Sequence, residues 1–345
     1  MTKSLAAHPD RLLPADPGTR AIARDLLAAV QELPIISPHG HVPAEMIADD
    51  TAFEDPTALL IAPDHYVTRL LHAAGVPLSE VGAGGSPVDS RAAWHRFADA
   101  WPLFDGTASG YWLRSEFEHV FGLPSALVDS LPHGGADAVY DALAAKLSEP
   151  GFRPRHLFKE FGIEVLATTD DPLDSLEAHR RLAEDPSFAG RVLPTFRPDA
   201  YLTPSNPDWK PRVERLMAEA SAGVEGFEGY LLALENRRRY FIEHGAVSAD
   251  HGVRTPRTLQ MDKAEAARLF RAALKGEATQ AEQDAFEAHM LYQMARMSVE
   301  DGLVMTVHPG SYCNHHAPTF KRFGPDTGHD IPFAIDYTES IRPVL

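Results

Sequence analysis

The sequence predicts the α/β class. Short apolar runs alternate with long segments of helical periodicity over residues 17–42 and 155–345. Polar residues gather just past the ends of those runs. His39 and His41 follow LPII, Arg197 follows VLPTF, Asp250 follows HGAVSA, and His308 follows VMTV. No G-x-G-x-x-G follows any run, which weighs against the nucleotide-binding form of a doubly wound open sheet, the structural alternative. Strand–helix alternation with polar groups after strand ends is the pattern of a parallel (β/α)8 barrel of the TIM type, whose chemistry lies at the C-terminal face of the strands.

Each element has its own signal. Residues 17–31 read as a helix, with Ile22, Leu26, Leu27 and Val30 at helical spacing. Leu33–Ile36 reads as a short buried strand bounded by prolines. Residues 43–150 hold no convincing strand; helical stretches alternate there with Gly/Pro punctuation such as VGAGGSPVDS and LPHGGADA. The expected organisation is therefore an N-terminal helix and first strand (1–42), a helical insertion (43–150), and the rest of the barrel (151–345). Ile163–Thr169 is the next strand, and Asp170 and Asp171 are read as caps of the helix that follows. Strands are further expected near 191, 244 and 303, with weaker candidates near 222 and 332. Two helices broken near Gly276 precede GLVMTVHPGSY, read as a buried strand. A barrel of eight βα units takes ~250 residues, so this count leaves no place for an eighth strand, and a barrel incomplete at its C-terminus is expected.

Composition narrows the function classes. Of 345 residues, 44% are hydrophobic and 23% charged, an ordinary globular balance. The formal net charge of -17 repels phosphate backbones and argues against a nucleic-acid partner. It also gives no help with an anionic small molecule, which a local arginine would have to hold. Cys313 is the single cysteine, so no intramolecular disulfide forms. No apolar run approaches the ~18 residues of a membrane span, and the N-terminus lacks a secretory apolar core. A cytoplasmic location is expected, with a homo-oligomer allowed.

Four constellations carry chemistry. In an extended segment His39 and His41 point the same way, so both imidazoles can reach one metal; two polar loop histidines are the bland alternative. His308 ends an apolar run, as a ligand, a substrate donor or an acid/base, or else as a core histidine bonded to backbone. Arg197, flanked by prolines, suits a carboxylate substrate through its two-pronged fork; the alternative is an ion pair with Asp199. Asp250 can accept a proton or orient a hydroxyl, or can serve as a helix cap.

These residues sit in segments that together resemble the uronate (glucuronate) isomerase family of the metal-dependent amidohydrolase superfamily. The segments are HGH at 39–41, DHYVTRLLHAAGV at 64–76, YWLRSEFEHVFGL at 111–123, TTDDPLDSLEAH at 168–179, LPTFRPDAY at 193–201 and SADHG at 248–252. HPGSYCN and FGPDTGHD follow within 308–330. No single piece is decisive; their order and spacing are.

The resemblance implies an aldose–ketose isomerase for D-glucuronate and D-galacturonate, on an amidohydrolase-like barrel with a helical insertion after strand 1. It implies a divalent metal, usually zinc, held by His39, His41 and an aspartate at the end of strand 8. It places Tyr66, Arg197, Asp250 and His308 against the hexuronate, with His308, Asp250 and Tyr66 as acid/base or orienting candidates. A related metal-dependent hydrolase or decarboxylase, or a catalytically impaired sugar-acid-binding protein, are the alternatives. Two departures stand out. The arginine usual five residues after the strand histidine is here Cys313, so that anion contact would fall to another residue such as Arg322. The strand-8 aspartate has no place, so Asp326, Asp330 or Asp336 would have to complete the metal site.

Overall fold

The computed structural model describes residue 8 and residues 10–345. They form two compact units. One comprises the described residues up to Pro34 together with Asp50–Gly162 and Cys313–Ile331; the other comprises Ile35–Asp49, Ile163–Tyr312 and Pro332–Leu345.

In the first unit, residues 50–162 contain helices and turns and no strand. Aspartates start several of the helices by accepting the unpaired amides of the first turn: Asp64 takes Tyr66 N at 2.7 Å, and Asp89 takes Ala92 N at 2.7 Å. Trp94, Phe97, Trp101, Phe104 and Phe117 form the core of this unit. Each such ring contributes roughly 2–3 kcal/mol on leaving water. The helix Pro17–Val30 forms where expected, capped by Asp16 with proline at its start. Its apolar stripe of Ile22, Leu26, Leu27 and Val30 is exposed.

The second unit is built on parallel strands. β1 (Ile35–Ser37), β2 (Ile163–Ala167) and β3 (Arg191–Leu193) pair in that order; β4 (Thr195–Phe196), β5 (Ser248–His251) and β6 (Val304–Val307) pair likewise. Pro194 separates β3 from β4 because it has no amide to give the ladder. The pairing nevertheless continues past it, through Thr168 N to Leu193 O at 2.9 Å and Asp170 N to Thr195 O at 3.0 Å. Parallel neighbours therefore follow chain order from β1 to β6, with a helix after each of β2, β4 and β5.

Helices Gly226–Glu243, Lys263–Lys275 and Gln280–Asp301 bury Tyr230, Phe241, Phe270 and Phe286 against Phe196 and Ala249 of the strands. The longest starts on a Thr279/Glu282 capping box and ends at Gly276's counterpart, Gly302, whose positive φ of 82° suits glycine. Buried Arg238 pairs with Asp301 at 2.5 Å and so fixes the helix end from which β6 departs. No described helix is long and apolar enough to cross a membrane.

Four expectations need correction. β1 and β6 were expected to be buried, yet Ile35, Ile36 and Val304 are exposed, because each strand pairs on one side only among the described residues. Near 222 there is no strand: Ala222 lies between two helices with φ 53°. Near 332, Ile331–Pro332 is a two-residue strand outside the parallel series. Asp170 and Asp171 cap no helix, because the helix begins only at Glu177. Asp170 instead accepts Thr195 N at 2.9 Å and the Thr168 hydroxyl at 2.7 Å, which ties β2 to β4. Asp171 accepts the Tyr201 hydroxyl at 2.6 Å.

Candidate metal and substrate site

β1 ends at Ser37, and the chain carries His39 and His41 just beyond it. Their Nε2 atoms lie 3.1 Å apart. Two nitrogens bound to one tetrahedral zinc at ~2.0–2.1 Å would be about 3.3 Å apart, so the pair fits a shared cation. The same separation also suits an N–H···N bond between neutral rings.

The second half of the site comes from β5 and β6. Asp250 and Thr306 are register partners, and the Thr306 hydroxyl donates to Asp250 Oδ1 at 2.7 Å. His308 lies two residues past Thr306, on the same side of the extended chain, and its Nε2 stands 2.8 Å from Asp250 Oδ2. Asp250 Oδ2 is also 3.8 Å from His39 Nδ1 and 3.6 Å from an Arg197 Nη. Asp250 therefore caps no helix; it is a buried strand residue at the centre of the cluster.

Burial alone would raise the Asp250 carboxyl. The bonds from His308 and Thr306, with the charges of His308 and Arg197, outweigh it and hold the group well below the usual carboxylate range. The reciprocal bond to Asp250 raises His308, against a smaller effect of burial. The site thus keeps one ionised, buried carboxylate beside two imidazoles, a donor set that suits a divalent cation. One ligand atom each of His39, Asp250 and His308 lies within 4.8 Å of the others. His39 is common to this trio and to the His39–His41 pair, so the four residues form one candidate centre.

Arg197 follows β4. Its Nε donates to Asp199 Oδ2 at 2.8 Å, so the ion pair weighed from sequence is present. The terminal nitrogens are not consumed by it, and the side chain remains about a quarter exposed. Asp199 Oδ2 also accepts Gly252 N at 3.0 Å. A side chain at 252 would sit 2.9 Å from His308 Cε1 and against the Arg197 guanidinium, so the close approach of these groups requires glycine.

Tyr66 belongs to the other unit, near the start of the helix His65–Ala73, half exposed, with the Arg69 guanidinium 5.0 Å over its ring and Trp112 edge-on at 6.3 Å. Arg322 lies in that unit too, on the exposed helix Ala317–Phe323. Asp330 accepts Asn314 N and Asp336 caps its own short helix. Among the described residues neither these two nor Asp326 joins a group of three candidate ligands.

Sequence reasoning missed Thr306, Asp199's double role and His251. Thr306 was findable, since it alternates with His308. His251 is fully buried, its Nδ1 3.0 Å from Thr306 O, and burial pushes its pKa down to about 4, so it remains neutral.

Comparison with known proteins gives these residues a context. The family model for glucuronate isomerase matches residues 18–344. A uronate isomerase from Corynebacterium glutamicum is 54% identical over the whole of this chain, which spans 67% of that relative; one from Corynebacterium efficiens is also 54% identical, with 73% of it spanned. The crystal structure of glucuronate isomerase from Caulobacter crescentus superposes with a TM-score of 0.92 at 41% identity, covering 99% of this chain and 71% of that one. The uronate isomerase structure from Thermotoga maritima gives 0.85 at 28% identity, covering 94% and 70%. The chain belongs to the glucuronate isomerase family.

Proposed function

We infer that this chain is a uronate isomerase, interconverting D-glucuronate with D-fructuronate and D-galacturonate with D-tagaturonate. The observation that carries the chemistry is the gathering of His39, His41, Asp250, His308 and Arg197 at the C-terminal ends of parallel strands. The unbroken order of parallel neighbours from β1 to β6 supports a (β/α)8 barrel, in which catalytic groups take those positions.

The reaction breaks the C2–H bond, moves that electron pair into a C1–C2 enediolate, and returns a proton to C1, while the C2 hydroxyl gives up its proton to become a ketone and the C1 aldehyde oxygen gains one to become a hydroxyl. Arg197 grips the C6 carboxylate through its two terminal nitrogens, because Asp199 already holds Nε. That grip fixes C1 and C2 against the proton-moving groups. Asp250, ionised and bonded on both oxygens, is a weak base and a strong orienter. It holds His308 by Nε2, which leaves Nδ1 as the ring atom that accepts or delivers the proton. Tyr66, assigned to the substrate by family resemblance, would bond a sugar hydroxyl. His39 and His41, beside Asp250, would hold a divalent cation, zinc in this reading, which would supply Lewis acidity to a bound sugar oxygen. The net charge and single cysteine support a cytoplasmic enzyme without nucleic-acid partners.

The test is to incubate the protein with Zn2+ and D-glucuronate in deuterated water and follow the sugar by proton NMR. Loss of the C2 proton signal with appearance of ketose is expected. Bound substrate with neither exchange nor ketose would overturn the reading.

A further inference from the structure

We propose that Thr169 is a positioning residue for the His39–His41 pair. Its hydroxyl holds the backbone between the two imidazoles. The proposal rests on the metal reading above.

Regular pairing of β1 with β2 stops at Ser37 opposite Leu166. His39, Gly40 and His41 lie beyond it and outside any strand, so no ladder fixes their dihedrals. The central residue is glycine, the residue with the most backbone freedom to lose. Glycine is also needed there, since a Cβ at 40 would stand 2.9 Å from Ala167 O. Two imidazoles joined by a free Gly peptide would sample many separations. Here both peptide groups flanking Gly40 are held by hydroxyls. Ser37 donates to His39 O at 3.2 Å, and Thr169 donates to Gly40 O at 2.7 Å.

The Thr169 bond is the shorter and comes from far along the chain, at the end of β2. Thr169 is itself well anchored. Its neighbour Asp170 is bonded to Thr195 N and to the Thr168 hydroxyl, and Thr168 contacts buried His179 Nε2 at 2.7 Å. The strand end is thus rigid, and Thr169 transmits that rigidity to Gly40 O. Fixing that carbonyl fixes the plane that leads into His41, and with it the 3.1 Å separation of the two Nε2 atoms.

The test measures Zn2+ affinity directly, by competition against a chromophoric chelator, on metal-free full chain. Thr169→Val keeps the shape and removes the donor; Thr169→Ser keeps the donor. The valine variant is expected to bind Zn2+ on the order of tenfold more weakly, as when a group supporting a metal ligand is removed. The serine variant should stay close to wild type, and the chelator-treated proteins should melt together. If Thr169→Val binds like wild type, or if serine loses as much affinity as valine, the positioning role is overturned. Should the valine variant not fold, Thr169→Ala is compared with Thr169→Ser, and equal affinities overturn the proposal. A wild-type chain with no Zn2+ affinity would overturn the metal reading, and this inference with it; weak-binding variants beside a tight wild type separate the two.

Discussion

His308 Nε2 and Asp250 Oδ2 meet at 2.8 Å across the β5–β6 ladder, one residue half exposed and the other buried. The exposed imidazole can meet solvent and substrate, while the buried carboxylate cannot move away from it. Asp250→Asn keeps the shape and removes the charge that orients and raises His308. We expect kcat to fall by roughly 100-fold or more, the scale of a general acid–base contribution, with KM for D-glucuronate changing far less. Steady-state kinetics decides; a change confined to KM would make Asp250 a binding group.

His39→Ala and His41→Ala each remove one of few candidate ligands. Bound zinc, measured by elemental analysis after dialysis, should drop sharply in both. Unchanged stoichiometry in both variants would mean that the 3.1 Å approach is a hydrogen bond between neutral rings.

Arg197→Lys retains the positive charge and loses the paired donors. Its Asp199 contact shows that Nε is committed, so only the fork made by the terminal nitrogens can serve a carboxylate. Affinity for D-glucuronate should weaken on the order of tenfold, about 1.4 kcal/mol. An unaffected dissociation constant would leave Arg197 as a structural partner of Asp199 and Asp250.

The strands and the site residues differed in how far sequence exposed them. Prolines and apolar runs marked β1, β2 and β6 because backbone breakers and strand formers act locally. His39, His41, Asp250, Arg197 and His308 stood out because each follows such a run. Exposure of Ile35, Ile36 and Val304 was not legible, since burial depends on which neighbours pair with a strand, and composition does not record that. Thr169 was invisible for a different reason. Hydroxyl residues are common, and only the approach of β2's end to Gly40 gives this one a role. Asp170 looked like a cap because an acid before a helix usually is one; the six residues that separate it from the helix could not be placed in advance.

Glu287 yields a pH dependence of stability that is independent of the candidate centre around Asp250. It lies on the helix Gln280–Asp301 and lines a cavity of about 310 Å³ with Val253, Arg254, Leu291 and Phe333. Burial pushes its carboxyl up to about 7, helped by the charge of Asp284 and opposed by Arg254. The unfolded chain releases this proton near the ordinary glutamate value of about 4.3. Between those limits the folded state holds a proton that the unfolded state does not. Stability from this group is therefore fully present below about 4.3 and is lost as pH rises through about 7. Glu287→Gln keeps the neutral shape and removes the titration. With chelator present throughout, the melting temperature of the wild type should fall more between pH 5 and pH 8 than that of the variant, whose advantage should grow toward the alkaline end. All other titrating groups are common to both proteins, so the difference isolates this carboxyl. Parallel melting curves across that range would show that Glu287 ionises near the unfolded value and that its cavity is better hydrated than its burial indicates.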